Sequence, residues 1–168
     1  LGFSTTSVFL LREKAVVAGA EEDATIMQRP LASLRHLMVG DETAIPAISV
    51  AIEALPAGAR AAVFIEVDGP ADEIGWDTAA DLEVHWLHRA GAERGTTTLL
   101  DDAVRAWDWW PGRVHAFVHG ESALLKTVRP YVRDDRGVDR KDLSVSAYWR
   151  HGATEEGFRT WKSQQTDR

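Results

Sequence analysis

From Leu34 onward, short apolar runs alternate with segments of helical periodicity, and the connections between them are short. The apolar runs predict five strands, at residues 34–39, 61–67, 82–87, 113–119 and 143–148. Helices are predicted at residues 45–55, 99–106, 122–132 and 154–162. Because strand and helix alternate, the strands are joined by crossovers and lie parallel. We therefore predict a doubly wound, three-layer α/β fold, with a mostly parallel five-stranded sheet in the order 3-2-1-4-5 and helices on both faces.

The regular pattern gives the domain organisation. Residues 34–152 are predicted to form one domain, with an N-terminal extension at 1–33 and a helical tail at 153–168. Within the extension, residues 5–11 have the character of a short strand and residues 20–23 that of a turn. A length of 168 residues suits one domain with a tail.

Composition excludes several function classes. The formal net charge of -7, without a basic run, argues against nucleic-acid binding. No cysteine is present, so disulfides, thiolate metal sites and a cysteine nucleophile are excluded. No apolar run reaches the length of a membrane helix.

His85 and His88 would face opposite sides of a strand, and no metal site is expected. The aromatic run at 107–111 could stack a planar ligand, but sealing of its loop onto the core is favoured.

The turn after the first predicted strand is the first candidate site. In such sheets, ligands bind outside the carboxyl ends of the strands, near the point where strand order reverses. Gly40 would permit a sharp turn and a close ligand, Thr43 would cap the next helix, and Pro46 suits its first turn. Free N–H groups and the helix dipole there suit a pyrophosphate, although Asp41 and Glu42 would be unfavourable beside one unless their side chains point away. An ordinary capped turn is the alternative, since the GxGxxG fingerprint is absent.

A family resemblance comes from four segments taken together. Residues 37–48, LMVGDETAIPAI, closely resemble the first strand and turn of the nucleotide domain in siderophore-interacting proteins of the ferredoxin-reductase-like superfamily. Three further segments occur in the order that the family shows: LPAGAR at 55–60, VHWLHR at 84–89 and VSAYWRHG at 145–152. The resemblance covers residues 33–161, and the combination is far more specific than any one segment.

The resemblance implies a function for the domain. Family members reduce ferric siderophores in the cytoplasm with NADPH or NADH and a flavin, which lies on a separate N-terminal β-barrel. Too few residues precede Leu34 for a six-stranded barrel, so FAD is expected only from a missing or partner domain. The face that would contact the barrel is expected to be covered by residues 1–30 or by a second copy in a homodimer.

Cofactor-binding residues also follow from the resemblance. The pyrophosphate turn would comprise Gly40, Asp41, Thr43 and Ala44. His88 and Arg89 would lie at the adenosine end. There Arg89 would pair with a 2′-phosphate or, alternatively, be a solvated surface arginine.

The segment after the fourth strand would approach the nicotinamide. Gly120 would give the ring room, Glu121 would be a positioning group, and Ser122 would either bond the carboxamide or cap its helix. No catalytic residue is expected, because the cofactors carry the hydride chemistry.

The end of the last strand supplies candidates for the substrate side. Tyr148 and Trp149 would cover the flavin or nicotinamide, although core packing is favoured for Tyr148. Arg150 would attract an anionic ferric siderophore. The leading hypothesis is therefore the nicotinamide-nucleotide domain of a ferric-siderophore reductase. A non-catalytic NAD(P)H-binding or partner-docking module, or an interaction domain with an emptied site, remains the alternative.

Overall fold

Five parallel strands form a single sheet in the order β3-β2-β1-β4-β5, which confirms the predicted fold class and strand order. The computed structural model describes residues 35–166, with side chains through Ser163. The strands are β1 (Arg35–Asp41), β2 (Arg60–Val67), β3 (Asp81–His88), β4 (Val114–Glu121) and β5 (Leu143–Trp149). The predicted extension, with its strand at 5–11 and turn at 20–23, lies outside the described residues.

Helices cover both faces of the sheet. They are α1 (Ile45–Glu53), α2 (Leu99–Ala106), α3 (Val128–Pro130) and α4 (Glu155–Thr166). Side chains of α1 pack on one face, and those of α2 and α3 pack on the other. The central strands β1 and β2 are buried along nearly their whole length, as expected for parallel strands covered on both sides.

Two hydrophobic clusters make up the core, one on each face. On the α1 face, Ile48 and Ile52 pack against β-sheet side chains that include Val63. On the opposite face, Val104 and Val128 belong to the cluster around Phe64, Val118 and Trp107. The sheet is thus fixed from both sides, and the carboxyl ends of its strands are held in register.

The helix predicted at 122–132, with a disturbance expected at Pro130, is broken more extensively than predicted. The chain instead forms a 3-10 turn at Ser122–Leu125, the short α3, and a π-helical turn at Tyr131–Asp135. Pro130 has no N–H to donate, so it interrupts regular helical hydrogen bonding at this place.

The prediction that the aromatic run at 107–111 packs its loop onto the core is confirmed. Trp107 is buried in the core beside Phe64, and Trp109 and Trp110 pack against its ring. The segment that ends α2 is thereby held against the sheet. Among residues 35–166, no helix combines the length and apolar character needed to cross a bilayer.

Candidate functional site

A cleft of about 190 Å³ lies at the carboxyl edge of the sheet. It is near the boundary between β1 and β4, where the crossover helices change from one face to the other. The side chains that define its two sides are Asp41, Glu42, Glu66, Arg89, Arg94, Thr97, Glu121 and Trp149. These residues come from the ends of four strands and from the loop after β3, as expected for a site of this fold class.

One side of the cleft is organised by the Asp41 carboxylate, which is only 5% exposed. Its Oδ2 accepts hydrogen bonds from the Glu121 backbone N–H at 2.9 Å and from Trp149 Nε1 at 2.8 Å. Its Oδ1 accepts from the Thr43 backbone N–H at 2.9 Å and from the Thr43 hydroxyl. The ends of β1, β4 and β5 are therefore joined by one carboxylate. We call Asp41, Glu121 and Trp149 the Asp41 side.

Two glycines leave room for this arrangement. A Cβ at Gly120 would lie 2.8 Å from Asp41 Oδ2, and its φ of +147° disfavours any other residue. A Cβ at Gly40 would lie 2.5 Å from Ala44 Cβ and 2.6 Å from the His119 carbonyl oxygen. Both glycines therefore permit close internal packing. At both positions a side chain would collide with protein atoms.

Glu121 is also satisfied internally. Its carboxylate accepts from the Ser122 hydroxyl at 2.8 Å, from the His151 backbone N–H at 3.0 Å and from the Ala123 backbone N–H. A register shift between β4 and β5 places Trp149 opposite Glu121. Glu121 thus holds the start of the next turn, which is the capping role considered for Ser122.

The opposite side of the cleft is built on ion pairs. The Arg89 side chain is only 4% exposed, and its Nη1 and Nη2 donate to the Glu42 carboxylate oxygens at 2.7 and 3.0 Å. Nη1 also lies 3.6 Å from Glu66 Oε1. Burial lowers the pKa of Arg89, but the hydrogen bond and charge of Glu42 outweigh it and raise the pKa above its ordinary value. The alternative of a solvated surface arginine is wrong, because this guanidinium is buried.

Glu66 completes this ion-paired side. Burial raises its pKa above the ordinary value, against the opposing effects of the Thr97 hydroxyl and the Arg89 charge. Thr97 Oγ1 donates to Glu66 Oε2 at 2.5 Å, which brings the loop after β3 onto the end of β2. We call Glu42, Glu66 and Arg89 the Arg89 side.

Arg94 connects the two sides. Its Nε lies 2.8 Å from Glu42 Oε1, and its guanidinium carbon lies 4.8 Å from the centre of the Trp149 ring. The side chain is 46% exposed, so it presents positive charge at the mouth of the cleft. Arg94 and Thr97 were missed from the sequence, because they lie in a polar loop without periodicity. The available sequence signal is a cationic residue directly before a glycine. In the structure that glycine, Gly95, leaves room for the Trp149 ring.

The predicted site residues divide into two groups. Asp41, Arg89, Glu121 and Trp149 meet at the cleft. The others do not line it among the described residues: Gly40, Thr43, Ala44, His88, Gly120, Ser122, Tyr148 and Arg150. The prediction that Thr43 caps α1 is wrong, since its hydroxyl donates to Asp41 and the N-cap of α1 is Ala44.

Three of the residues outside the cleft have identifiable partners. His88 Nε2 lies 2.7 Å from Glu73, and the Arg150 guanidinium lies 5.6 Å from the centre of the Trp161 ring. The Tyr148 hydroxyl lies 2.9 Å from Nδ1 of the fully buried His119, consistent with core packing. Burial lowers the pKa of His119 to about 3, so this ring is neutral at physiological pH.

The sheet and its carboxyl-edge cleft define a doubly wound α/β domain, and comparison with known proteins gives the family. The model of the siderophore-interacting protein family matches residues 34–152. This chain therefore belongs to the siderophore-interacting protein family, as the sequence resemblance predicted.

Individual relatives support the assignment. An uncharacterized protein of Mycobacterium tuberculosis (strain H37Rv) is 49% identical over 138 residues, which are 77% of this chain and 49% of that protein. Ferric vibriobactin reductase ViuB of Vibrio cholerae is 28% identical over 123 residues, which are 73% of this chain and 45% of the reductase. The crystal structure of a siderophore utilization protein from T. fusca matches with a TM-score of 0.68 at 37% identity, covering 74% of this chain and 48% of that one. The chain spans about half the length of these relatives.

Proposed function

We propose that this chain is the nicotinamide-nucleotide-binding half of a flavin-dependent ferric-siderophore reductase that acts in the cytoplasm. One observation carries the proposal: side chains from the ends of four parallel strands and the following loops converge on a single cleft at the reversal of strand order. Family membership and the similarity to a ferric vibriobactin reductase supply the reaction class.

The donor set of the cleft fits a dinucleotide. Asp41 and Glu121 are satisfied by hydrogen bonds within the protein, which offset their repulsion of phosphate. Arg94 offers an exposed cation, and Trp149 offers an aromatic ring beside it. A cleft of about 190 Å³ encloses only part of a dinucleotide, so the two ends of the ligand extend over neighbouring strand ends.

The protein's own residues would bind and orient the cofactor, and NADPH or NADH would supply the hydride. Arg94 would hold the pyrophosphate through charge-assisted hydrogen bonds. Trp149 would limit access of water on the Asp41 side. Arg150, exposed just beyond β5, would attract the anionic ferric siderophore. The flavin would come from a separate FAD-binding domain or protein, and a homodimer stays a prediction.

Direct titration tests the proposal. Calorimetry of the full chain with NADH and NADPH is expected to show binding in the micromolar range to at least one of them. Arg94→Ala should weaken that binding about tenfold, because a charge-assisted hydrogen bond contributes roughly 1.5 kcal/mol. Arg159→Ala is the matched control, since Arg159 is exposed on α4 and pairs only with Glu155 among the contacts described. Its affinity should equal that of wild type.

A second assay separates the reductase from the alternative of a non-catalytic module. Adding a flavoprotein, a reduced nicotinamide nucleotide and a ferric siderophore should give turnover that depends on this chain. Binding without any turnover would favour the module. Failure of both dinucleotides to bind would contradict the proposal.

A further inference from the structure

The two terminal nitrogens of the Arg89 guanidinium, which we call the Arg89 fork, already donate to a carboxylate. Glu42 accepts from both Nη atoms at 2.7 and 3.0 Å, which is the bidentate arrangement that a phosphate also adopts with arginine. Since the side chain is only 4% exposed, a phosphate entering this side would have to displace Glu42.

The remaining guanidinium nitrogen does not change this conclusion. Arg89 Nε is buried and has no hydrogen-bond partner among the described residues. Because protein atoms enclose it, a bulky phosphate cannot reach it while the side chain keeps its position. The Arg89 guanidinium therefore pairs with the carboxylates around it, and an outside anion cannot contact it.

Charge on this side of the cleft is unfavourable to a further anion. The negative charges of Glu42, Glu66 and Asp68 all act on Arg89. Arg94 pairs with the same Glu42 carboxylate through its Nε, but it is 46% exposed and can still hold the pyrophosphate, whereas the buried Arg89 guanidinium cannot take a second anion. Two guanidinium groups, Arg89 and Arg94, face three carboxylates here, so a phosphate monoester would add roughly 1.5 to 2 negative charges where negative charge already exceeds positive.

A ribose hydroxyl, unlike a phosphate, interacts favourably with carboxylates. A hydroxyl is neutral and can donate to a carboxylate oxygen. A dinucleotide whose pyrophosphate lies near the reversal of strand order places one nucleoside over the ends of the strands on this side. An acidic residue there suits the free 2′-hydroxyl of NADH, whereas an available arginine suits the 2′-phosphate of NADPH.

We infer that the Arg89 side of the cleft selects NADH over NADPH, and that Glu42 is the residue that determines this specificity. Glu42 does so in two ways: it occupies the Arg89 fork, and it places negative charge where the 2′-phosphate would lie. The inference rests on the proposed function, because it concerns the dinucleotide bound in the same cleft.

Paired calorimetric titrations with NADH and NADPH test the inference on the full chain. Wild type should bind NADH at least about tenfold more tightly than NADPH, from one unfavourable charge contact. Glu42→Gln should reduce that ratio to within about threefold, mainly through tighter NADPH binding. Glu93→Gln is the matched control: it removes the same charge from an exposed residue, 74% accessible and paired with His151. Its ratio should equal that of wild type.

The possible outcomes separate the inference from the proposed function. If wild type binds NADPH as tightly as NADH, the inference is overturned and the proposed function stands. If neither dinucleotide binds, both are overturned. Should Glu42→Gln fail to fold, the salt dependence of the wild-type ratio decides. High salt should narrow the ratio, because it screens the repulsion of the 2′-phosphate; a ratio independent of salt overturns the role of charge.

Discussion

The two sides of the cleft satisfy their carboxylates by different means. On the Asp41 side, the central carboxylate accepts, within residues 35–163, from neutral donors: two backbone N–H groups, a hydroxyl and an indole N–H. On the Arg89 side, Glu42 is held by two guanidinium groups, and Glu66 lies beside one of them.

This difference separates a fixed side from a side that responds to charge. Hydrogen bonds from backbone N–H groups are held in place by the strands and are insensitive to added salt. Ion pairs involve full charges, and the partly exposed pair between Arg94 and Glu42 at the mouth of the cleft weakens in salt. The Asp41 side therefore sets the shape of the cleft. The Arg89 side is where the charge of a ligand is sensed.

The largest expected effect comes from filling the space beside Asp41. Gly120→Ala should lower the free energy of unfolding by about 4 kcal/mol, the sum of backbone strain and a buried clash. The new Cβ would lie 2.8 Å from Asp41 Oδ2, at a φ of +147°. Urea denaturation followed by tryptophan fluorescence measures this change.

Gly112→Ala is the control for backbone strain alone. Gly112 also has a positive φ, +100°, but a Cβ there would meet nothing within 4 Å. The expected loss is about 1 kcal/mol. Equal losses at Gly112 and Gly120 would show that the Asp41 side adjusts freely, which contradicts its description as fixed.

Two buried groups, His119 on β4 and Glu66 on the Arg89 side, should respond to acid with opposite sign. Burial lowers the pKa of His119 to about 3, so the unfolded chain takes up this proton first as the pH falls below 6.5. Stability from this group is therefore lost on acidification, by roughly 2 kcal/mol between pH 7 and pH 5. Burial instead raises the pKa of Glu66 above 4.5, so the folded chain is protonated first and acid relieves a destabilising charge.

Non-titrating variants isolate each contribution. Unfolding free energies of wild type, His119→Gln and Glu66→Gln are compared at pH 5 and pH 7.5. The advantage of wild type over His119→Gln should shrink in acid, and its advantage over Glu66→Gln should grow. The buried His36, whose pKa is lowered to about 4, is common to all three proteins and cancels. Changes of the same sign in both comparisons would contradict the assignment of opposite responses.

Much of this arrangement could be predicted from the sequence, because strand ends in a parallel sheet gather at one edge. Arg89 and Trp149 line the cleft, because each lies at or next to the end of a strand. Their partners could not be predicted. Arg89 pairs with Glu42, 47 residues away, and Trp149 with Asp41, 108 residues away. Such pairings depend on how the loops fold over the sheet edge.

The loop after β3 shows where sequence patterns stop being informative. Residues 91–98 have no periodicity, yet Arg94 and Thr97 from this loop contact Glu42 and Glu66 across the cleft. The structural reason for the glycines at the strand ends could not be predicted from the sequence either. A glycine at the end of a strand is required equally by a nearby ligand and by a nearby side chain, and only the packing around Gly120 shows that Asp41 is the neighbour.

The smallest effect is expected from a variant that removes one neutral hydrogen-bond donor from Asp41. Trp149→Phe keeps an aromatic ring beside Arg94 but loses the N–H that donates to Asp41 Oδ2 at 2.8 Å. Trp161→Phe is the matched truncation, since Trp161 stacks on Phe158 and makes no hydrogen bond among the contacts described. Unfolding free energy should fall about 1 kcal/mol further for Trp149→Phe than for Trp161→Phe, the contribution of one hydrogen bond. That difference should be unchanged by added salt, because the lost donor is neutral; a difference that disappears in salt would place Asp41 with the ion pairs instead.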